Sequence, residues 1–200
     1  MSRLEDPTAR VRILEAAARL FYERGVNGVG MSEIVAEAGT GRNALYRHFP
    51  GKQQLILAVL KEFAERNDKS LTEALTGLPP DKALVAMSRH VAALVSGPGY
   101  RGCPLRNYLR ESRDTQAPAG RFALARVHSQ RRRIGDLATR LEVDESEQVA
   151  LRIWLVLEGV YATTPFADRA AVADQAVRYV QEIVTGDPAP FDDGSAIRSG

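Results

Sequence analysis

An all-α chain is predicted by three observations. Apolar residues recur at the 3.6-residue period of helices, no segment shows the alternation and β-branched enrichment of a strand, and Gly and Pro cut the 200 residues into helix-length pieces. About nine helices are expected, three in a small N-terminal unit and the rest in a larger helical one.

The first helix runs from about Pro7, a good first-turn residue, to Arg24, with Ile13, Ala17, Leu20 and Phe21 as its apolar stripe and Gly25 after it. A short second helix follows, because Met31, Ile34, Val35 and Ala38 fall at i, i+3, i+4 and i+7. Gly30 can cap it, and Glu33 three residues on can close half a capping box. Gly39 supplies the left-handed residue for a tight turn into a third helix, which Pro50-Gly51 breaks. Two short helices joined by a glycine turn, the second one basic, predict a helix-turn-helix.

Lys52 opens a longer helix with Leu55, Val59, Leu60 and Phe63 facing inward, ending near Gly77. Asp81 is expected to cap a fifth, with Leu84, Met87, Val91, Leu94 and Val95 buried, which Gly97-Pro98-Gly99 stops. Pro104 starts a sixth, reaching about Arg113, and Pro118 a seventh with Phe122, Ile134, Leu137 and Leu141 as core positions. Asp144 with Glu147 makes a capping pair for an eighth, and Asp168 caps a ninth that runs to Thr185 before Gly186. The Asp-, Pro-, Gly- and Ser-rich residues 187–200 read as a mobile tail. The expected division is therefore 1–51, 52–186 and 187–200.

Apolar residues make up 44% and charged ones 26%, ordinary for a soluble globular chain, and no apolar stretch approaches the roughly 20 residues of a membrane span. The N-terminus carries charges where a secretory signal has an apolar core, so a cytoplasmic protein is expected. One cysteine, Cys103, allows neither an internal disulfide nor a cysteine metal cluster; no metal and no cofactor are expected. The net charge of +2 favours no partner, but its distribution does. Residues 101–140 hold ten basic and three acidic side chains, and residues 141–200 four and eleven, so the last third should shun DNA.

The stretch from Thr40 to Lys52 contains no carboxylate. On a helix Arg42, Asn43, Tyr46 and Arg47 share one face while Leu45 and Phe49 share another, so one side is built to be buried and the other to meet an anion. Guanidinium groups suit phosphate or guanine, an amide suits adenine, and a phenol reaches the backbone.

These residues carry a resemblance. Ile13-Leu14-Glu15-Ala16-Ala17 with Leu20-Phe21 and Gly25, then Ile34-Val35-Ala36-Glu37-Ala38-Gly39, and above all Ala44-Leu45-Tyr46-Arg47-His48-Phe49-Pro50-Gly51-Lys52, are similar to the TetR family of bacterial transcriptional regulators. The resemblance covers roughly the first quarter of the chain. It implies a three-helix DNA-binding domain and a larger helical domain for a small effector and for dimerisation, in a repressor released by its effector. It implies Tyr46 and Lys52 on phosphate and Thr40, Arg42, Asn43 and Arg47 near bases; His48 either contacts phosphate or covers the domain's core. Family members usually carry Ser or Thr where Gly30 stands, so Ser32 is the candidate to replace that hydroxyl. They carry a small apolar residue and Ser where Thr40-Gly41 stands, so Gly41 weakens the cap of the recognition helix by about a few tenths of a kcal/mol unless Thr40 takes that role.

Other candidates come with a plainer reading beside them. Three consecutive arginines, Arg131-Arg132-Arg133, point about 100° apart on a helix and cannot form one stripe; with Arg121, Arg126 and Arg140 they read as a solvated face or as partners for the acidic last third. Glu158, in an apolar segment, reads as half of an ion pair or as a site for a cationic effector. Tyr100, Cys103, Asn107, Tyr108, Phe122, His128, Trp154 and Tyr161 are plausible lining for an effector pocket. Cys103 and His128 are the only pair castable as nucleophile and base, and no catalytic motif surrounds them, so no enzyme is expected. Leu151, Leu155, Val172, Tyr179, Val180 and Ile183 are the dimer-interface candidates. The resulting expectation is a homodimer on a near-palindromic double-stranded DNA operator, answering to a small molecule; a helical ligand-binding or interaction module without DNA is the alternative.

Overall fold

A computed structural model describes residues 8–112, 114–163 and 168–186 of the chain. Pro7, Arg113 and residues 187–200, where a helix start, a helix end and a tail were expected, lie outside the described residues. Among the described residues the fold is all-helical: α1 (Ala9–Arg24), α2 (Met31–Glu37), α3 (Arg42–His48), α4 (Lys52–Leu75), α5 (Pro80–Ser96), α6 (Pro104–Glu111), α7 (Pro118–Thr139), α8 (Ser146–Thr163) and α9 (Arg169–Thr185).

The α1, α2 and α3 helices pack on one another, and α1 on α4, with Ile13, Ala17, Ile34, Leu45 and Phe49 all buried. Gly25, at φ +76°, ends α1, and Gly39, at φ +57°, turns α2 into α3. The second turn is the left-handed step that a glycine makes without a Cβ penalty. At the head of α2 the Gly30 N–H donates to Glu33 Oε1 at 2.9 Å, the predicted half of a capping box. Thr40 does not cap α3: Gly41 occupies that position without a side-chain bond.

Beyond Gly51 the chain forms a helical stack. The α9 helix runs along α5, its most extensive neighbour, and also contacts α8; α7 touches α4, α5, α6 and α8. The buried face of α9 is Ala173, Ala176 and Val180, at i, i+3 and i+7; its two alanines let the helices approach closely.

Three expectations need correction. Val180 is fully buried, so it belongs to the protomer's core and not to an outer dimer face. Asp81 lies in the first turn of α5 and not at its cap, because the helix starts at Pro80, whose fixed φ suits the first helical position. Asp144 sits in the turn before α8, whose first backbone bond runs from Val149 N–H to Glu145 O. Asp168, by contrast, caps α9 as expected, accepting from Ala170 and Ala171 N–H at 3.0 and 3.3 Å.

Candidate functional site

Two sites emerge, a helix face and a cavity, and α4 joins them. On α3, Arg42, Asn43, Tyr46 and Arg47 are exposed while Leu45 and Phe49 are buried, the division the spacing predicted. Tyr46 keeps 45% of its surface open, a large exposed aromatic next to two guanidinium groups. His48 and Lys52 are half-buried and Ser32 is exposed. The Thr40 hydroxyl is covered and has no hydrogen-bond partner, so it does not face outward with the others.

The carboxylates near this face are occupied. Glu33 caps Gly30 and meets Arg24 at 2.6 Å, and Glu37 pairs with Arg19. The Gly30 N–H first, and then Arg24, hold the Glu33 carboxyl below its usual range. With its neighbouring acids neutralised, the α3 face presents positive charge and hydrogen-bond donors to an approaching anion.

The cavity, of about 360 Å³, opens between α1, α4, α6 and the segment before α6. Six aromatic rings line it, those of Phe21, Tyr22, Phe63, Tyr100, Tyr108 and Tyr161. Of the nine effector candidates, Tyr100, Cys103, Asn107, Tyr108 and Tyr161 are in this wall. Phe122, Trp154 and Glu158 are half-buried outside it, and His128 is exposed on α7. Cys103 is buried at the head of α6 with Arg106 Nη1 3.7 Å from its sulfur, so the structure does not bring Cys103 and His128 into a nucleophile–base pair.

Glu158 is half of an ion pair, one of the two readings its surroundings allowed. Arg106 Nε lies 3.1 Å from both of its carboxylate oxygens, with Nη2 also donating to it. Arg106 itself is a site residue the sequence did not reveal. Its side chain is 7% exposed, its Nη1 donates to Gln130 Oε1 at 3.2 Å, and its guanidinium lies 4.0 Å from the centre of the Tyr161 ring. The excess of bases within 101–140 and of acids within 141–200 was the available signal, but it names no pair separated by 52 residues. Of the remaining arginines in that group, Arg126 pairs with Asp68 on α4, not with the acidic last third.

One donor in the cavity wall stands alone. The Tyr100 hydroxyl is covered and has no partner, a state that costs on the order of 1–3 kcal/mol for a buried polar group. Burial raises its pKa far above the ordinary value, so it remains a protonated donor. The other wall residues the sequence assigned to core packing are Phe21, Val59, Leu60, Phe63 and Leu94.

The cavity is tied to the N-terminal helices by backbone bonds. Val26 N–H donates to Glu111 Oε2 at 2.8 Å, Asn27 Nδ2 to Glu111 O at 3.1 Å, and Arg101 N–H to Tyr22 Oη at 2.7 Å. Both ends of the α6 segment are thus fastened to α1 and the turn after it. Meanwhile α4 carries Lys52 at its start and Ile56, Val59, Leu60 and Phe63 in the cavity wall.

Residues 13–59 match the family described as bacterial regulatory proteins, tetR family. The chain is 43% identical over 58 residues to the transcriptional regulator LmrA of Bacillus subtilis, covering 28% of this chain and 31% of that protein. It is 31% identical over 127 residues to the transcriptional repressor DrrR1 of Streptomyces coeruleorubidus, covering 63% of this chain and 44% of that one. It thus spans less than half the length of these curated relatives. A crystal structure of a TetR-family transcriptional regulator from Streptomyces coelicolor superposes with a TM-score of 0.84 at 29% identity, covering 89% of this chain and 95% of that one. Among the described residues no helix is long and apolar enough to cross a membrane.

Proposed function

The chain belongs to the TetR family of bacterial regulators, and on that premise we propose that it is a ligand-responsive transcriptional regulator that binds a near-palindromic operator as a homodimer. One observation carries the reading: α3 turns Arg42, Asn43, Tyr46 and Arg47 outward from a helix whose other face is buried on α1. In this reading residues 1–51 form the DNA-binding head and 52–186 the effector and dimer domain. Tyr46, Lys52, Ser32 and His48 contact phosphate, and Arg42, Asn43 and Arg47 approach base edges in the major groove. Thr40 contributes packing and backbone, its hydroxyl being covered.

A small molecule entering the cavity acts through α4, which runs from Lys52 at the head to the cavity wall. It releases DNA only if it binds the non-DNA arrangement more tightly, since a ligand shifts an equilibrium by its difference in affinity alone.

The test is retardation of duplexes selected from a random pool. The wild type is expected to enrich a two-fold symmetric site with half-sites roughly one turn, about 34 Å, apart. An Arg42→Glu, Arg47→Glu double variant of unchanged helicity is expected to lose that site. Retention of the same duplex by this variant, or failure of the wild type to enrich any, rejects the reading.

A further inference from the structure

We propose that the cavity takes an uncharged, flat aromatic molecule bearing a hydrogen-bond acceptor, and that it discriminates against organic anions and cations. The inference rests on the reading of the cavity as the effector site and says what class of effector it receives.

The charge argument comes from how the ionised groups at and behind the wall are engaged, in ion pairs for all but Glu111, which is hydrogen-bonded. Arg106 stands directly behind Cys103, Gln130 and Tyr161, and alone it would draw an organic acid. Glu158 cancels it at 3.1 Å, and in doing so is itself lost as an attractor of cations. At the mouth, Arg19 is paired with Glu37, and Arg66 with Glu62 at 3.0 Å. Glu111 uses its carboxylate on the Val26 N–H. A charged ligand would surrender its hydration without meeting an opposite charge that is not already engaged, which an apolar site penalises.

Shape and polarity come from the remaining wall. Six of the chain's thirteen aromatic side chains line this one space, and rings prefer offset or edge-on contact with other rings. The volume, about 360 Å³, lies near the lower end of the roughly 300–1,000 Å³ of ligand sites, so a compact molecule is required. The polar groups of the wall are largely used: Tyr22 Oη accepts from Arg101 N–H, Tyr108 Oη donates to Gln53 Oε1 at 3.4 Å, and Gln130 Oε1 accepts from Arg106. Among the fully covered polar atoms of the described wall, the Tyr100 hydroxyl alone has no partner, a donor in need of an acceptor. Tyr100 stands in the cavity wall with Tyr22, Cys103 and Tyr161.

The experiment uses the full chain and three probes on one naphthalene frame. The first is 6-propionyl-2-(dimethylamino)naphthalene, a neutral ketone whose emission moves to the blue in apolar surroundings; the others carry a sulfonate or a trimethylammonium group. The ketone is expected to bind once per protomer with a blue shift, at least roughly tenfold more tightly than either ion. Tyr100→Phe should weaken the ketone by about three- to tenfold, the worth of one hydrogen bond. Glu158→Gln, which leaves Arg106 charged, should raise the sulfonate's affinity relative to the ketone's.

Equal or tighter binding of an ion by the wild type overturns the inference while leaving the cavity an effector site. An unchanged ketone affinity in Tyr100→Phe overturns the acceptor requirement. Ala18→Phe and Val59→Phe each fill the cavity from a half-exposed wall position. If no probe binds, or if binding survives both variants in chains that keep their helical signal, the effector-site reading itself falls and the inference with it.

Discussion

A guanidinium as enclosed as that of Arg106 is tolerated because Glu158 meets it edge-on and Gln130 and the Tyr161 ring take up what remains of its donors and charge. Burial, the largest single influence, would favour the neutral form of Arg106; the Glu158 hydrogen bond and charge, together with Cys103 and Tyr161, outweigh it and hold the group charged. Removing one partner of such a pair leaves a buried charge uncompensated, whereas replacing both with apolar groups is often neutral. Glu158→Ala is therefore expected to lower stability by about 3 kcal/mol in urea denaturation, and Arg106→Met with Glu158→Leu to recover most of it. A double variant as unstable as the single one contradicts this account. His90 on α5 gives a pH-dependent counterpart. Burial lowers its pKa below the ordinary 6.5, and its Nε2 lies 3.0 Å from Asn67 Oδ1. Between the folded and unfolded values the unfolded chain binds the extra proton, so this contribution to stability is present above pH 6.5 and lost as pH falls through the folded pKa. Urea midpoints at pH 7.5 and 5.5 should show a drop for the wild type that is smaller for His90→Asn.

Caps and turns separate what was legible in the sequence from what was not. The α9 cap at Asp168 was readable because its bonds reach only two and three residues along the chain. The α3 face was readable for the same local reason, since spacing alone decides which of Leu45 and Arg47 points inward. Asp81 misled because Pro80 competes for the helix start one residue earlier, and Arg106 and the cavity were hidden because they depend on contacts across 24 to 55 residues and on a space the apolar stripes of α1 and α4 leave unfilled. The turn after α1 gives an element-level test. Gly25 combines φ +76° and ψ 158° with an approach so close that a Cβ there would stand 2.6 Å from Glu111 Oε2; Gly39, at φ +57°, has open space around it. Gly39→Ala should cost about 1 kcal/mol for the left-handed backbone alone. Gly25→Ala should cost roughly 1–3 kcal/mol for its backbone, which is a glycine region, and more for displacing the Glu111 carboxylate from Val26. Thermal denaturation of the two variants measures the difference, and a Gly25→Ala melt no lower than that of Gly39→Ala would show that the α6-to-α1 fastening contributes nothing.

At the scale of the whole molecule, the outer faces of α8 and α9 remain open in the single chain. Leu155 is 60% exposed, Leu151 41% and Tyr179 44%, with Val172 and Ile183 partly covered beside them. Scattered exposed apolar residues need no explanation, but Leu151 and Leu155 stand one turn apart on α8 and Tyr179 stands on α9, which packs on α8, a placement suited to burial against a second copy. Val180, one turn from Ile183, is fully buried, and α9 packs along α5. The proposed function needs this dimer, because a palindromic site is read by two α3 helices held at a fixed separation, and half the contacts leave affinity near the non-specific level. Leu155→Glu with Tyr179→Glu places carboxylates in the centre of the surface without touching the buried faces of either helix. Sedimentation equilibrium should then give the 21.9 kDa chain where the wild type gives twice that mass. The variant should keep its helical signal and its cavity binding while losing the symmetric duplex. A variant that stays dimeric places the interface elsewhere, and a monomer that still grips the full operator as tightly as the wild type removes the requirement for two heads.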